Sequence, residues 1–247
     1  MNKTRYLLII LLFFCSKPLF AQDMLQAWGG GADQHDLSFG FSFSYVNSYF
    51  KIDKKPNWQT PFLDPQNGNR PVTSTPTGIT STNQPGFAVG FLTRYSLTEH
   101  LEVRVTPSLV FADRALNYAY VTATDNQVKD VQTTTVDFPL SLKLKSDRIG
   151  NFRAYLLGGV KYSYGIGSKL NSDANETLLE KTVKNEGGYT SYEAGIGCDI
   201  YFEYFKLSPE IKLSNSMGDV LIHENNPFSG PLNKLFLHTV MFSLYFE

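Results

Sequence analysis

Cysteine is scarce in this sequence, and its scarcity excludes two kinds of site. Cys15 and Cys198 are the two cysteines among 247 residues. Cys15 lies in an N-terminal segment with the features of an export signal, so the exported chain is expected to keep Cys198 alone. A single thiol can form no internal disulfide and no cysteine-based zinc site.

Long apolar runs are also missing. No segment beyond the N-terminus contains the roughly eighteen uninterrupted apolar residues that a transmembrane helix needs. The apolar run 7–15 follows a basic start and is too short to span a bilayer, so residues 1–21 are expected to be a secretory signal peptide, cleaved at its end. A lipoprotein signal would use Cys15, but Phe13 and Phe14 occupy positions where such signals need small residues.

An excess of basic charge is absent as well. The chain has 22 Lys and Arg residues against 23 Asp and Glu residues. Residues 1–21 contain three basic residues and no acidic residue, so the exported chain carries 19 basic and 23 acidic residues, a net charge of −4. A nucleic-acid partner would favour a basic surface, so this balance argues against one.

The common catalytic and metal-binding motifs are missing too. The sequence has no G-x-S-x-G, H-E-x-x-H or phosphate-binding loop pattern. Metal ligands usually cluster at short spacings, whereas the histidines lie far apart, at His35, His100, His223 and His238. The sequence therefore predicts no enzyme, no metal site, no cofactor and no small-molecule substrate.

Aromatic residues and regular alternation are what the sequence does contain. It has 19 Phe and 14 Tyr residues. Across residues 136–145 and 152–164, apolar side chains alternate with a more polar set, and the polar turn 146–151 joins the two segments. Because side chains along a strand point to opposite faces with a period of two, the pattern predicts a hairpin with one apolar and one polar face.

Six further segments show similar alternation, and the connections between strands alternate between long and short. These strands are predicted at 37–52, 86–97, 101–121, 189–202, 205–214 and 234–247. The long loops are predicted at 53–85, 122–130, 171–187 and 215–233. With an aromatic residue next to the C-terminus, this pattern predicts an all-β fold: an eight-stranded antiparallel up-and-down barrel in the outer membrane, with its apolar face toward lipid.

The predicted strands also set the domain boundaries. Residues 22–36 are a predicted periplasmic tail, and residues 37–247 are the predicted barrel. Pro107, Pro139 and Pro209 fall inside predicted strands. Because proline cannot donate to the hydrogen-bond ladder, bulges or bends are expected there.

Charged residues on the inward face predict a plugged lumen. Eight strands leave an interior just wide enough for side chains to fill, and buried charges need partners of opposite sign. We therefore expect a network of paired charges in the lumen, with a proton or ion path as the alternative. Its predicted members are Arg94, Glu102, Arg104, Asp137, Lys143, Lys145, Arg153, Lys161, Glu193, Asp199, Glu210 and Lys212.

Several strands resemble the PorT/SprT family of Bacteroidota outer-membrane barrels, which is linked to type IX protein secretion and gliding. The most specific piece is FKLSPEIK at 205–212. The other pieces are LSFGFSFS at 37–44, PGFAVG at 85–90, LEVRVTPSL at 101–109, VDFPLSLK at 136–143, FRAYLLGG at 152–159 and YEAGIG at 192–197. Loops 53–85 and 215–233 match nothing in the family. The resemblance implies a non-enzymatic secretion component whose partners are other type IX components, and it carries over no catalytic residue.

Two other functions stay open. External loops such as residues 53–85 would suit an adhesin or an envelope-stability protein, because loops on a rigid scaffold commonly carry function. A lipid-modifying barrel enzyme would need a histidine with a supporting carboxylate at the external rim, where His223 and Glu224 are adjacent in sequence.

Overall fold

The computed structural model of this chain describes residue 33 and residues 35–131, 134–166 and 177–247. The predicted signal peptide, residues 1–21, lies outside the described residues, as does the predicted tail 22–36 except for residues 33, 35 and 36. The predicted loop 171–187 is described from residue 177 onward. Within the described part of the chain, no helix is long and apolar enough to span a membrane.

Fourteen strands run along the described chain. In chain order they are β1 (Leu37–Lys54), β2 (Leu63–Asp64), β3 (Arg70–Pro71), β4 (Pro76–Thr82), β5 (Gln84–Ser96), β6 (Leu101–Val105), β7 (Ser108–Phe111), β8 (Arg114–Tyr120), β9 (Gln127–Val131), β10 (Thr134–Lys145), β11 (Phe152–Ile166), β12 (Gly188–Tyr201), β13 (Lys206–Ser216) and β14 (Leu232–Phe246). Nine of them form one sheet, and the others form a two-stranded and a three-stranded sheet.

The nine-stranded sheet closes into a ring. Its order is β1, β14, β13, β12, β11 and β10, then β6 and β7 in one shared position, then β5. The ring closes because β5 pairs with β1, from Leu37↔Tyr95 to Ser48↔Gln84, and the neighbouring strands are antiparallel. Such closure satisfies backbone N–H and C=O groups without an exposed edge, as lipid requires. The predicted all-β antiparallel architecture is confirmed.

The two faces of the ring differ as the alternation predicts. In β10, Phe138, Leu140 and Leu142 are 51%, 51% and 54% exposed, whereas Asp137 and Lys143 are buried. The apolar face therefore points outward and the charged face inward. This is the reverse of a soluble sheet sandwich and matches a ring whose outer surface meets lipid.

The prolines interrupt pairing without shifting the register. Pro107 lies between β6 and β7, yet both strands keep one register against β5. Pro139 lies in β10, which keeps one register against β11, and Pro209 lies in β13, which keeps one register against β14. The predicted bulges are therefore wrong, whereas the other expected outcome, a strand bend, stays a prediction. A missing N–H removes a local hydrogen bond, but a slip by one residue would turn every following side chain to the wrong face.

The end of the ring that carries the long loops differs from the prediction. The predicted strand 101–121 is three strands, and its last part, β8, leaves the ring to pair with β4 and β9. β4 lies within the predicted loop 53–85, and β9 overlaps the predicted loop 122–130. Ile79 of β4 and Val131 of β9 are buried. Packing of these few apolar side chains stabilises β4 and β9. The polar composition of the surrounding segments had predicted loops there.

The three-stranded sheet and residues 220–235 form a cap over this end of the ring. Its core also includes ring residues, and its buried members are Phe50, Ile79, Leu116, Tyr118, Tyr120, Val131, Val183, Val220, Leu221, Phe228, Leu232, Leu235 and Leu237. The Tyr118 hydroxyl donates to the Phe228 carbonyl oxygen at 2.8 Å. Burial raises the pKa of Tyr118, which keeps this donor protonated. The shared core fixes the cap to the ring.

Candidate functional site

Eleven of the twelve predicted lumen charges are buried inside the ring. They are Arg94, Glu102, Arg104, Asp137, Lys143, Lys145, Lys161, Glu193, Asp199, Glu210 and Lys212. Each side chain leaves its strand on the inward face, where water is replaced by protein. Because a buried charge without a partner is strongly destabilising, the arrangement of their opposite charges decides whether the interior is stable.

Arg153 is the exception, and its predicted place among the buried charges is wrong. Its side chain is only partly buried, and its Nε donates to the Ser146 carbonyl oxygen at 2.6 Å. Arg153 is the second residue of β11, beside the turn 146–151. Its long side chain therefore reaches the turn backbone, where water still solvates the charge.

One buried pair joins two strands that are not neighbours. Lys143 of β10 places its Nζ 2.8 and 2.9 Å from the carboxylate oxygens of Asp199 in β12. On the strand between them, the Tyr155 ring centroid lies 3.8 Å from the same ammonium. Ser208 Oγ donates to Asp199 at 2.6 Å. These charge-assisted hydrogen bonds offset the desolvation of both charges.

A second pair, Arg104 with Glu210, lies beside the first. Arg104 donates to Glu210 Oε2 at 2.7 Å. The hydroxyls of Tyr155 and Tyr245 donate to the same carboxylate at 3.0 and 3.3 Å. The Arg104 guanidinium also lies 4.6 Å from the Tyr245 ring centroid, a cation–π contact. Aromatic rings thus fill the space between the charged groups.

Glu102 is shared among three cations. Its carboxylate lies 3.2 Å from Lys145 Nζ, 3.6 Å from Arg94 NH1 and 3.7 Å from Arg104 Nε. All four side chains are almost fully buried. One carboxylate therefore links charges from β5, β6 and β10.

Nearer the cap, two cations and two carboxylates form a further group. Lys161 Nζ lies 2.9 Å from Asp137 Oδ2 and 3.6 Å from Glu193 Oε1. Lys212 Nζ lies 3.4 Å from Glu193 Oε2 and 3.9 Å from Glu210 Oε1. The contact between Lys212 and Glu210 connects this group to the pairs below it, so the charges form one network along the interior.

Three members of the network are absent from its predicted list. Lys206 Nζ lies 3.0 Å from Glu247 Oε2 and 3.2 Å from Asp33 Oδ1. The alternation places Lys206 on the inward face with Glu210, and it also places Glu247 on the inward face of its own predicted strand, so this signal points to both residues. No periodic pattern points to Asp33, which lies in the predicted tail.

Asp33 joins the network from outside the ring strands. Arg94 NH2 lies 2.9 Å from Asp33 Oδ1, and the Tyr201 hydroxyl donates to Asp33 Oδ2. Burial by itself would raise the pKa of Asp33, but Lys206, the Tyr201 hydrogen bond and Arg94 together hold that pKa well below its ordinary value. The carboxylate is therefore ionised, and its charge belongs to the network.

Among the described residues, the network contains as many basic as acidic side chains. Its basic members are Arg94, Arg104, Lys143, Lys145, Lys161, Lys206 and Lys212. Its acidic members are Asp33, Glu102, Asp137, Glu193, Asp199, Glu210 and Glu247. An ion-selective pore is usually lined by charges of one sign. Seven described charges of each sign, each with a partner of opposite sign, instead suit a fixed interior.

His223 and Glu224, the pair considered for a lipid-modifying enzyme, do not pair with each other. His223 Nε2 lies 3.1 Å from Asp219 Oδ2, whereas Glu224 Oε1 lies 3.0 Å from Lys184 Nζ. Both residues border a groove of about 480 Å³ that includes Trp58, but they engage different partners. Among the described residues, no group of three His, Cys, Asp or Glu side chains is arranged to hold a metal ion.

Comparison with known proteins matches the sequence to a family described as "Outer membrane protein beta-barrel domain", over residues 20–221. Among solved structures, OprG from Pseudomonas aeruginosa is 12% identical, with 86% of this chain and 96% of that chain covered and a TM-score of 0.47. AlkL is 13% identical, with 92% of this chain and 94% of that chain covered and a TM-score of 0.41. Ail of Yersinia pestis, in complex with the heparin analogue sucrose octasulfate, is 15% identical, with 84% and 96% covered and a TM-score of 0.35. No curated protein sequence matches this chain.

Proposed function

Since the chain belongs to the outer membrane protein beta-barrel family and lies in the outer membrane, we propose that it is an eight-stranded barrel with a plugged lumen that anchors partners for type IX protein secretion. It has no enzymatic activity of its own. The observation that carries this proposal is the balanced network of buried charges along the interior. A barrel filled in this way serves as a scaffold, because it has no space to conduct a cargo.

The count of eight follows from treating β6 and β7 as one position. They share a side of the ring between β5 and β10, and Pro107 separates them. The interior of an eight-stranded barrel is just wide enough for side chains. Here it holds Arg94, Lys143, Tyr201 and Lys206, which are among the largest fully buried side chains of the described chain.

The assignment to type IX secretion rests on the sequence resemblance to the PorT/SprT barrels. The resembling segments 136–143 and 205–212 lie largely in β10 and β13 and contribute Asp137, Lys143 and Glu210 to the network. The resemblance therefore concerns the scaffold and its filled interior. Partners, which are other type IX components, bind at the periplasmic turns and tail or at the external loops. In organisms that glide, the same role supports gliding.

Deletion of the gene tests this function. The proposal predicts that a deletion strain no longer exports type IX cargo into the medium, and that the full-length gene restores export. Secreted proteins are measured by mass spectrometry, and detergent sensitivity reports whether the envelope is intact. Normal cargo export from a deletion strain with an intact envelope contradicts the proposal.

A second candidate function, as an adhesin or envelope-stability protein, has one specific observation in its favour. The described loops 53–85 and 215–233 come together at the long-loop end, where Trp58, Phe62 and Pro227 border one groove. The same deletion strain separates the candidates. Unchanged export together with lost surface attachment or a fragile envelope supports the second candidate over the first.

A further inference from the structure

Three donors converge on one carboxylate at the short-turn end of the ring. Arg94 of β5 places NH2 2.9 Å from Asp33 Oδ1, and Lys206 of β13 places Nζ 3.2 Å from the same oxygen. The Tyr201 hydroxyl of β12 donates to Asp33 Oδ2. Both carboxylate oxygens are thus engaged. We name the group formed by Arg94, Tyr201 and Lys206 the mouth site.

The three side chains of the mouth site are held by further contacts besides those to Asp33. The side chains of Arg94 and Lys206 are 0% and 1% exposed. Both contact the Glu247 carboxylate, which lies 3.0 Å from Lys206 Nζ. The Arg148 guanidinium lies 3.8 Å from the Tyr201 ring centroid and braces that ring. Donors fixed in this way are preorganised for a carboxylate.

Asp33 supplies a carboxylate at this position. Arg94 NH2 and Lys206 Nζ both contact its Oδ1. Cationic donors that converge on one carboxylate oxygen form strong charge-assisted hydrogen bonds. The mouth site therefore favours an occupant that carries a carboxylate.

The occupant is more accessible than the site that holds it. The Asp33 side chain is 24% exposed, in contrast to the buried donors. It borders a cavity of about 520 Å³ at the short-turn end, which Lys145, Arg148 and Arg153 also line, together with Asp36 and Glu99. Asp33 lies outside the ring strands, so its carboxylate can leave without breaking a strand pairing. This geometry allows exchange with another acidic side chain.

We propose that the mouth site is a carboxylate-binding site for an acidic peptide segment of a periplasmic partner, and that Asp33 is the built-in occupant which the partner displaces. The short-turn end faces the periplasm in outer-membrane barrels, where such a segment has access. The inference rests on the proposed anchoring function and names the chemistry of the partner. Competition from Asp33 lowers the apparent affinity for that partner, because the partner binds only in the fraction of molecules from which Asp33 has left the site.

The test uses the full exported chain in detergent micelles and two fluorescein-labelled probe peptides, Gly-Asp-Gly and Gly-Asn-Gly, with blocked termini. Binding is measured by fluorescence anisotropy for the wild type, for Asp33→Ala and for the matched control Asp36→Ala. The Asp peptide is expected to bind Asp33→Ala at least about tenfold more tightly than it binds the wild type or the control. The Asn peptide is expected to show no such gain.

Equal binding of the two peptides to Asp33→Ala, or equal binding of the Asp peptide to Asp33→Ala and to the wild type, overturns the mouth-site proposal. If Asp33→Ala fails to fold, Asp33→Asn keeps the side-chain volume and removes the charge, and the same tenfold gain is expected. The outcome is independent of the secretion assay. Failed peptide binding with export still lost on gene deletion removes only the mouth site, whereas normal export on deletion removes the secretion function.

Discussion

Lys143 of β10 contacts Asp199 of β12 across the intervening strand β11. The contact is possible because the curvature of the ring brings the inward side chains of these two strands together. The Lys143 ammonium contacts both Asp199 oxygens and has no exposed surface. We predict that Lys143→Met destabilises the barrel by about 3–5 kcal/mol, because it leaves the buried Asp199 carboxylate without its cationic partner. The double variant Lys143→Met with Asp199→Leu is expected to regain most of this loss, since it removes both buried charges.

Urea unfolding in lipid vesicles measures these free energies. Lys234→Met is the matched control, since Lys234 is an exposed residue of β14, and it is expected to change the unfolding free energy little. An unfolding midpoint for Lys143→Met equal to that of the wild type contradicts the buried pair. A double variant no more stable than the single one contradicts the charge explanation.

At the scale of residues, the alternation along each strand placed most of the charges that are buried on the inward face. It did not predict the positions of Arg153 and Asp33. Arg153 has inward parity, yet it sits beside a turn and its long side chain reaches solvent. Asp33 has no strand parity at all. Its place at the mouth site depends on Arg94 and Lys206, which lie far from it in sequence. Such contacts arise from tertiary packing that alternation along one strand does not encode.

Two adjacent glycines in β11 give a prediction about a single element. A Cβ at Gly159 would meet the backbone of β10, with Ser141 Cα at 2.8 Å, whereas a Cβ at Gly158 would meet nothing closer than the Glu193 carbonyl oxygen at 3.9 Å. We predict that Gly159→Ala destabilises the barrel by about 1–3 kcal/mol, because the two strands must move apart. Gly158→Ala is the control and is expected to be near neutral.

Folding yield and urea midpoint of the two variants check this. Band shift between heated and unheated samples in gel electrophoresis reports the folded fraction, and urea titration reports stability. If Gly159→Ala and Gly158→Ala unfold at the same urea concentration, the close approach of β10 and β11 is contradicted.

At the scale of elements, alternation predicted the ring strands and their faces, and it failed at the cap. β4 is short and lies in a loop rich in Pro, Thr and Asn, so its one buried residue of note, Ile79, gave no periodic signal. β8 continued the pattern of the predicted strand 101–121, so the sequence alone did not reveal that it leaves the ring. β8 leaves the ring because it pairs with β4 and β9.

At the scale of the whole molecule, the proposed plug of the interior has three parts: the ring, the network and the cap. The cap core, from Phe50 to Phe228, covers the long-loop end. The charge network fills the middle, and Asp33 with Glu247 completes it at the short-turn end. The alternating loop lengths predicted the ring, but the proposed closure at both ends depends on contacts between residues far apart in sequence, which no local pattern contains.

Ion conductance across a planar lipid bilayer tests the proposed sealed barrel most directly. The full exported chain is inserted from detergent into a bilayer, and detergent without protein is the control. A plugged eight-stranded barrel predicts no stepwise increase in current above the control at any applied voltage that the bilayer withstands. Stable, reproducible single-channel steps from the folded protein would contradict the account, because they require an open path through the interior.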